Sequence, residues 1–198
     1  MLVFLVHADD GTDEVMVRTH YATPVGGPHT PRRARVVVRC PLPYSLAMVT
    51  TVHGIESFKD LVGQHLGYSE WHLVDQAQVN LFADATGDHQ WIHVDPEAAK
   101  NGPFGGPIAH GYLTLALAPV FLGEVLHVDG ISMGVNYGCN KVRFPAPVMV
   151  GSNLREGVAV AGVEDVTGGV QVTLDITLEC EGAAKPSCVA QVVYRYYA

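Results

Sequence analysis

A chain of 198 residues, 48% hydrophobic and 16% charged, is long enough to bury a proper core and suits one domain rather than several. Its net charge of −8, with no basic cluster in the main body, argues against nucleic acid as a partner, and no apolar run reaches the roughly 20 residues that a membrane-spanning helix needs. Cys40, Cys139, Cys180 and Cys188 lack metal-ligand spacing and the opening MLVFLV is too short for a signal-peptide core, so the expectation is a cytoplasmic protein with reduced thiols.

Residues 1–47 differ from the rest of the chain. They hold Pro24, Pro28, Pro31, Pro41 and Pro43 and five arginines but no lysine, and their apolar residues keep neither a period of 2 nor one of 3.6. The expectation is an irregular extension, or a start site assigned too early, over 1–47, and a domain over 48–198 opening at Met48. A short docked strand at Arg35–Arg39 is the alternative.

Glu56 to Leu66 predicts a short amphipathic helix with Phe58, Leu61, Val62 and Leu66 on one side and Gly67 after it. Trp71–Val74 reads as a first strand. Asp75 and Gln78 have capping-box spacing and predict a helix to about Ala85, with Val79, Phe82 and Ala83 as its core stripe. Asp95-Pro96-Glu97 marks another helix start, with proline at the first helical position, and that helix stops near Asn101-Gly102-Pro103. Ala109 to Leu126 is the longest apolar stretch. It is apolar nearly all round, which predicts a helix wrapped by other structure, with Pro119 either bending it or sitting near an opening in the packing. Strands are expected at Ile131–Phe144, Leu154–Val163, Val170–Cys180 and Val189–Tyr196, the third alternating strictly. Successive strands with short turns imply an antiparallel sheet, so the fold class is α+β, with the sheet wrapped around a long central helix.

The stretch from Ala85 to Leu117 carries the chemistry. Asp88 and His93 stand five residues apart. On a helix they would lie about 140° apart, on a strand they would face opposite sides, and fully extended they would be roughly 17 Å apart. Only a curled loop brings both side chains into one pocket, and Gly87 permits the bend. From spacing alone, a turn-capping aspartate and a packing histidine are the favoured reading of the same residues. The ten histidines contain no HExxH pair and no cysteine pair supports them, so no metal site is expected. Gly105-Gly106-Pro107 reads as a turn, not a phosphate loop, and no Ser or Cys sits in a nucleophile elbow.

The run from Thr86 to Ala99, TGDHQWIHVDPEAA, resembles the signature of the MaoC-like, R-specific enoyl-CoA hydratases, hot-dog-fold enzymes with a Ser/Thr-Gly-Asp-x-Asn-x-x-His pattern. Ile108-Ala109-His110-Gly111 resembles the second motif of that family. Val79–Leu117 and Asn140–Pro147 are similar to the mycobacterial 3-hydroxyacyl-thioester dehydratases of the group, and the resemblance runs from about Ser57 to Tyr197. Gln90 stands where the family has its usual Asn and Trp91 where it has its usual Pro. These departures leave the Asp–His pair intact and alter the polar contacts expected around a thioester.

The resemblance implies reversible hydration of a trans-2-enoyl thioester, of CoA or of acyl-carrier protein, by a homodimer without a cofactor. Such a reaction needs a base for the attacking water, an acid for the α-carbon and a donor for the enolate-like oxygen. Asp88 and His93 would share the first two roles, and the backbone N–H of Gly111, at the start of a helix, would supply the third. Gln90 would contact the thioester or order the water. Arg143, with Lys141 beside it, is the candidate for the phosphates of the carrier. His110 would position the loop, His89 face solvent and Trp91 form wall. Two other readings stand beside this one. An acyl-CoA thioesterase has no need of the Asp–His pair. A non-catalytic acyl-CoA-binding hot-dog protein would be expected to have lost one of the two.

Overall fold

The computed structural model describes residues 5–8, 15–18 and 49–198. In the first stretch Leu5–Ala8 (β1) and Val15–Arg18 (β2) pair antiparallel with each other, where the sequence patterning gives no strand. The alternative strand at Arg35–Arg39 lies outside the described residues.

From Val49 onward the elements are β3 (Thr50–His53), a 3-10 helix (Ile55–Leu61), β4 (His65–Tyr68), β5 (His72–Val74), α1 (Gln76–Thr86), α2 (Trp91–Val94), α3 (Pro96–Lys100), α4 (Gly111–Ala116), α5 (Ala118–Val125), β6 (Leu126–Asp129), β7 (Met133–Arg143), β8 (Ser152–Val166), β9 (Gly169–Cys180) and β10 (Cys188–Tyr197). A six-stranded sheet runs in the order β4-β8-β9-β10-β7, with β5 also on β8, and every pairing in it is antiparallel. β3 and β6 form a separate parallel pair. None of the described helices is long and apolar enough to cross a membrane.

The alternation along β9 decides which face of the sheet is wet. Val170, Val172, Leu174, Ile176 and Leu178 are all buried, while the residues between them are less so. One row of the buried face runs Val158, Ile176, Ala190 and Val142 across four strands. Leu113 of α4 and Phe121, Leu122 and Val125 of α5 belong to the same core. Each large apolar side chain so buried contributes about 1.5–3 kcal/mol relative to exposure.

Two elements differ from the sequence expectation. Glu56–Leu66 is not one amphipathic helix: the chain makes a 3-10 helix, turns at Gly63 with φ 83°, and enters β4 at His65. Phe58 and Leu66 are still both buried, so a helical turn followed by a strand satisfies the same apolar positions. The expected helix over Ala109–Leu126 is divided at Leu117 into α4 and α5. Pro119 has no N–H for a carbonyl four residues back, which puts the break where the sequence places the bend. Nor is this segment wrapped on all sides, because Tyr112 is 74% and Val120 61% exposed.

Candidate active site

α1 begins as its sequence dictates: the Asp75 carboxylate accepts from the backbone N–H of Gln78 at 2.8 Å, and Val79 and Ala83 are buried. It ends on Gly87, whose φ of 80° is the left-handed conformation that closes a helix and that a side chain would oppose. The chain thus leaves the helix sharply, and Asp88 is the first residue beyond. Gln90 caps the single turn α2, which carries His93 on its buried side. Asp95 accepts from Ala98 N at 3.0 Å and starts α3 with Pro96 in its first turn. The curl between two helical segments therefore replaces the helix or strand that would have separated Asp88 from His93.

Ile108 is pinned by its main chain. Its N–H donates to Ile92 O at 3.0 Å, and Ala109 N donates to Val148 O at 2.8 Å. The Ile108 carbonyl lies 2.7 Å from His93 Nδ1. A carbonyl only accepts, so Nδ1 carries the hydrogen and Nε2 keeps its lone pair. The His93 imidazole is held below its ordinary pKa chiefly by burial, with nearby His110 adding to the effect; the Ile108 carbonyl and Asp88 act in the opposite direction. Nitrogens of both histidines and a carboxylate oxygen of Asp88 lie within 4.8 Å of one another. His93 and Gly111 line one cavity of about 340 Å³, whose other walls include Phe104, Thr114, Phe144 and Val148. Most of that lining is apolar.

Gly111 is the first residue of α4, so its N–H has no acceptor within the helix. A Cβ there would stand 3.1 Å from the Phe144 ring, so a larger residue would press on that ring. The side chain of Gln90 is exposed and outside the cavity wall; its backbone N–H stands 3.4 Å from Asp88 Oδ1, and its carbonyl accepts from His93 N at 2.9 Å. Arg143 ends β7 next to Phe144, is exposed, and donates from Nη1 to the Val142 carbonyl at 2.7 Å. Sequence reasoning singled out Asp88, His93 and Gly111: the fold sets a carboxylate oxygen of Asp88 within 4.8 Å of a ring nitrogen of His93, and His93 and Gly111 line one cavity, whose wall does not include Asp88. It missed Thr114, a buried residue in the cavity wall, and the main-chain oxygens that fix both histidine rings.

Asp88, His93 and His110 have the spacing of a metal centre but not its directions. The two imidazoles are stacked, with centroids 3.8 Å apart and planes at 28°. An ion in the plane of one ring would lie well out of the plane of the other, whereas ligation runs along the in-plane lone pair. What the arrangement offers instead is two hydrogen-bond acceptors, a carboxylate and an imidazole Nε2, to one small donor such as water.

Comparison with known proteins places the chain in a family. The family described as MaoC like domain matches residues 57–180. The 3-hydroxyacyl-thioester dehydratase Z of Mycobacterium tuberculosis (strain H37Rv) is 55% identical over 147 residues, covering 72% of this chain and 97% of that protein. Nodulation protein N of Rhizobium meliloti is 43% identical over 144 residues, 69% of this chain and 86% of its own length. Among solved structures, the (R)-hydratase from A. caviae involved in PHA biosynthesis aligns with a TM-score of 0.54 at 26% identity, over 67% of this chain and 94% of that one. The chain belongs to the MaoC-like family, and its fold is the hot-dog fold of that family's hydratases and dehydratases.

Proposed function

We propose that this MaoC-like protein is a hydro-lyase of acyl thioesters, adding water to a trans-2-enoyl thioester to give the (R)-3-hydroxyacyl thioester and running the dehydration in reverse. The observation that carries the reading is the meeting of Asp88 and His93 beside a largely apolar cavity, with the proton of His93 on Nδ1. The similarity to a 3-hydroxyacyl-thioester dehydratase and to an (R)-hydratase supports it.

In this mechanism one water donates its two hydrogens to the Asp88 carboxylate and to His93 Nε2. The water oxygen attacks the β-carbon as Nε2 takes one proton. The π electrons move toward the thioester carbonyl, whose oxygen becomes enolate-like and is met by the N–H of Gly111. The enolate then takes the proton back from His93 at the α-carbon, which restores the neutral imidazole and completes the addition of H and OH. Asp88 holds the water and balances the charge that His93 carries between the two transfers. Acid–base help of this kind supplies roughly 10²–10⁴ in rate, and one oxyanion donor about 2.7–4 kcal/mol.

The substrate would be an acyl-CoA or an acyl-carrier-protein thioester. Arg143, beside the cavity wall at Phe144, is the proposed contact for the carrier's phosphate, and the working form is a homodimer. The test is to follow the loss of enoyl-thioester absorbance with crotonyl-CoA and a longer homologue. Loss of absorbance with no free thiol released supports the hydratase. Thiol release would make the protein a thioesterase, and binding without either change would make it a non-catalytic acyl-thioester binder.

A further inference from the structure

The hydratase mechanism uses one of two stacked imidazoles. The other, His110, is 3% exposed and touches both members of the pair. Its Nε2 lies 2.9 Å from the main-chain oxygen of Asp88, so that nitrogen carries the hydrogen and donates it. Its ring lies against His93 at 3.8 Å, and Phe82 packs on it with centroids 5.0 Å apart. Its own carbonyl accepts from Thr114 N at 3.0 Å and Thr114 Oγ1 at 3.2 Å, which ties it to α4.

Asp88 needs such an anchor. It is exposed, follows a helix end, and its other nearby bonds are long: its N–H stands 3.4 Å from Thr86 Oγ1, and its Oδ1 3.4 Å from Gln90 N. The bond from His110, reaching across 22 residues, is the shortest of these. The other ring nitrogen of His110, Nδ1, is buried with no partner among the described residues. An apolar ring of similar shape would fill the space without desolvating that atom. What an imidazole adds here over phenylalanine is the Nε2–H.

We infer that His110 is the positioning residue of the pair: its Nε2–H fixes the main chain of Asp88 while its ring backs His93, so that carboxylate and imidazole are held against the same water. This deepens the hydratase reading and rests on it. The relevant cost is geometric, since displacing a reacting group by about 1 Å can lower a rate by about 10²-fold.

The enoyl-thioester assay, run on the full chain, separates the two contributions. His110→Phe keeps a ring and loses the N–H, whereas His110→Gln keeps an N–H at similar reach and loses the ring. The expected result is a kcat about tenfold or more lower in His110→Phe, with KM within about twofold, and a smaller loss in His110→Gln. In an Asp88→Asn background the same His110→Phe change should cost less than about threefold, because the carboxylate it positions is gone. Near-normal kcat in His110→Phe, or an equal loss in both backgrounds, overturns the inference. Should His110→Phe fail to fold, His110→Ala against His110→Gln makes the same comparison, and equal losses in those two overturn it as well. A wild-type protein inactive on every enoyl thioester sinks the hydratase reading itself, whereas an active wild type with an indifferent His110 sinks only this inference.

Discussion

In the proposed mechanism Asp88 and His93 divide one task, and their environments differ. Asp88 is exposed at a helix end, while His93 is 6% exposed with its Nδ1–H committed to Ile108 O. Asp88→Asn keeps the shape and removes the charge, and His93→Ala removes the proton carrier. Each should lower kcat by at least about 10²-fold, and the double variant should be scarcely worse than either, because both act on one water. A pH profile gives a separate check. The reaction needs His93 neutral and burial lowers its pKa, so the acid limb of kcat/KM should fall below the ordinary imidazole range near 6.5, and that limb should vanish in His93→Ala. An acid limb above that range would contradict the assignment. The two side chains stood out in the sequence through the resemblance of Thr86–Ala99 to the MaoC-like signature, since their spacing alone, with Gly87 permitting a curl, suits a turn cap and a packing histidine as well. The tautomers were not legible there, since Ile108 O and the main-chain oxygen of Asp88 are groups that any residue at those positions would offer.

At the scale of the element, β8 contains a residue that its own pattern opposes. Leu154, Val158 and Val160 point into the core, and Glu156 stands in the same row, fully buried. Neither carboxylate oxygen has a partner among the described residues, and burial pushes the pKa up to about 9. The native chain therefore holds a proton, between its usual value of 4.5 and about 9, that the unfolded chain releases. Stability from this group falls as pH rises through that window. Glu156→Leu removes the dependence, so its unfolding free energy should exceed that of the wild type by a margin that grows from pH 5 to about pH 9, on the order of a few kcal/mol at the upper end, and its melting temperature should rise with it. Thermal melts of both proteins at several pH values measure this, and a constant margin would show that Glu156 does not titrate across the window. The strands themselves were readable from period-2 alternation, most clearly in β9. The 3-10 helix before β4 was not, because Phe58, Leu61 and Leu66 suit a helical stripe as well as they suit a turn followed by a strand. Only pairing with β8 decides between them.

At the scale of the molecule, two proposals concern what lies beyond the sheet. The family match begins at residue 57, and Leu46–Ala198 forms a compact unit of its own. A protein starting at Met48 is therefore expected to fold and to keep its activity, and a Met48 truncation that fails to fold would refute the boundary. The second concerns apolar surface. β7 is the last strand of the sheet, bonded on one side to β10 and, among the described strands, free on the other, with Met133 50% and Tyr137 57% exposed. A row of unpaired backbone groups flanked by apolar side chains is a template for pairing. Tyr112 and Val120 add exposed apolar area on α4 and α5. The sequence marks this helical segment as needing cover on nearly every side, but periodicity cannot say whether the cover comes from the same chain. The core buries Leu113, Phe121, Leu122 and Val125 and leaves Tyr112 and Val120 exposed, and we propose that a second copy covers them. Light scattering at micromolar concentration is therefore expected to give twice the mass of the chain. Val120→Glu, which sets a charge on that face, should shift the equilibrium toward monomer and lower activity in proportion if the second copy helps close the site. A stable wild-type monomer with full activity would show that the exposed face of α4 and α5 serves no second copy.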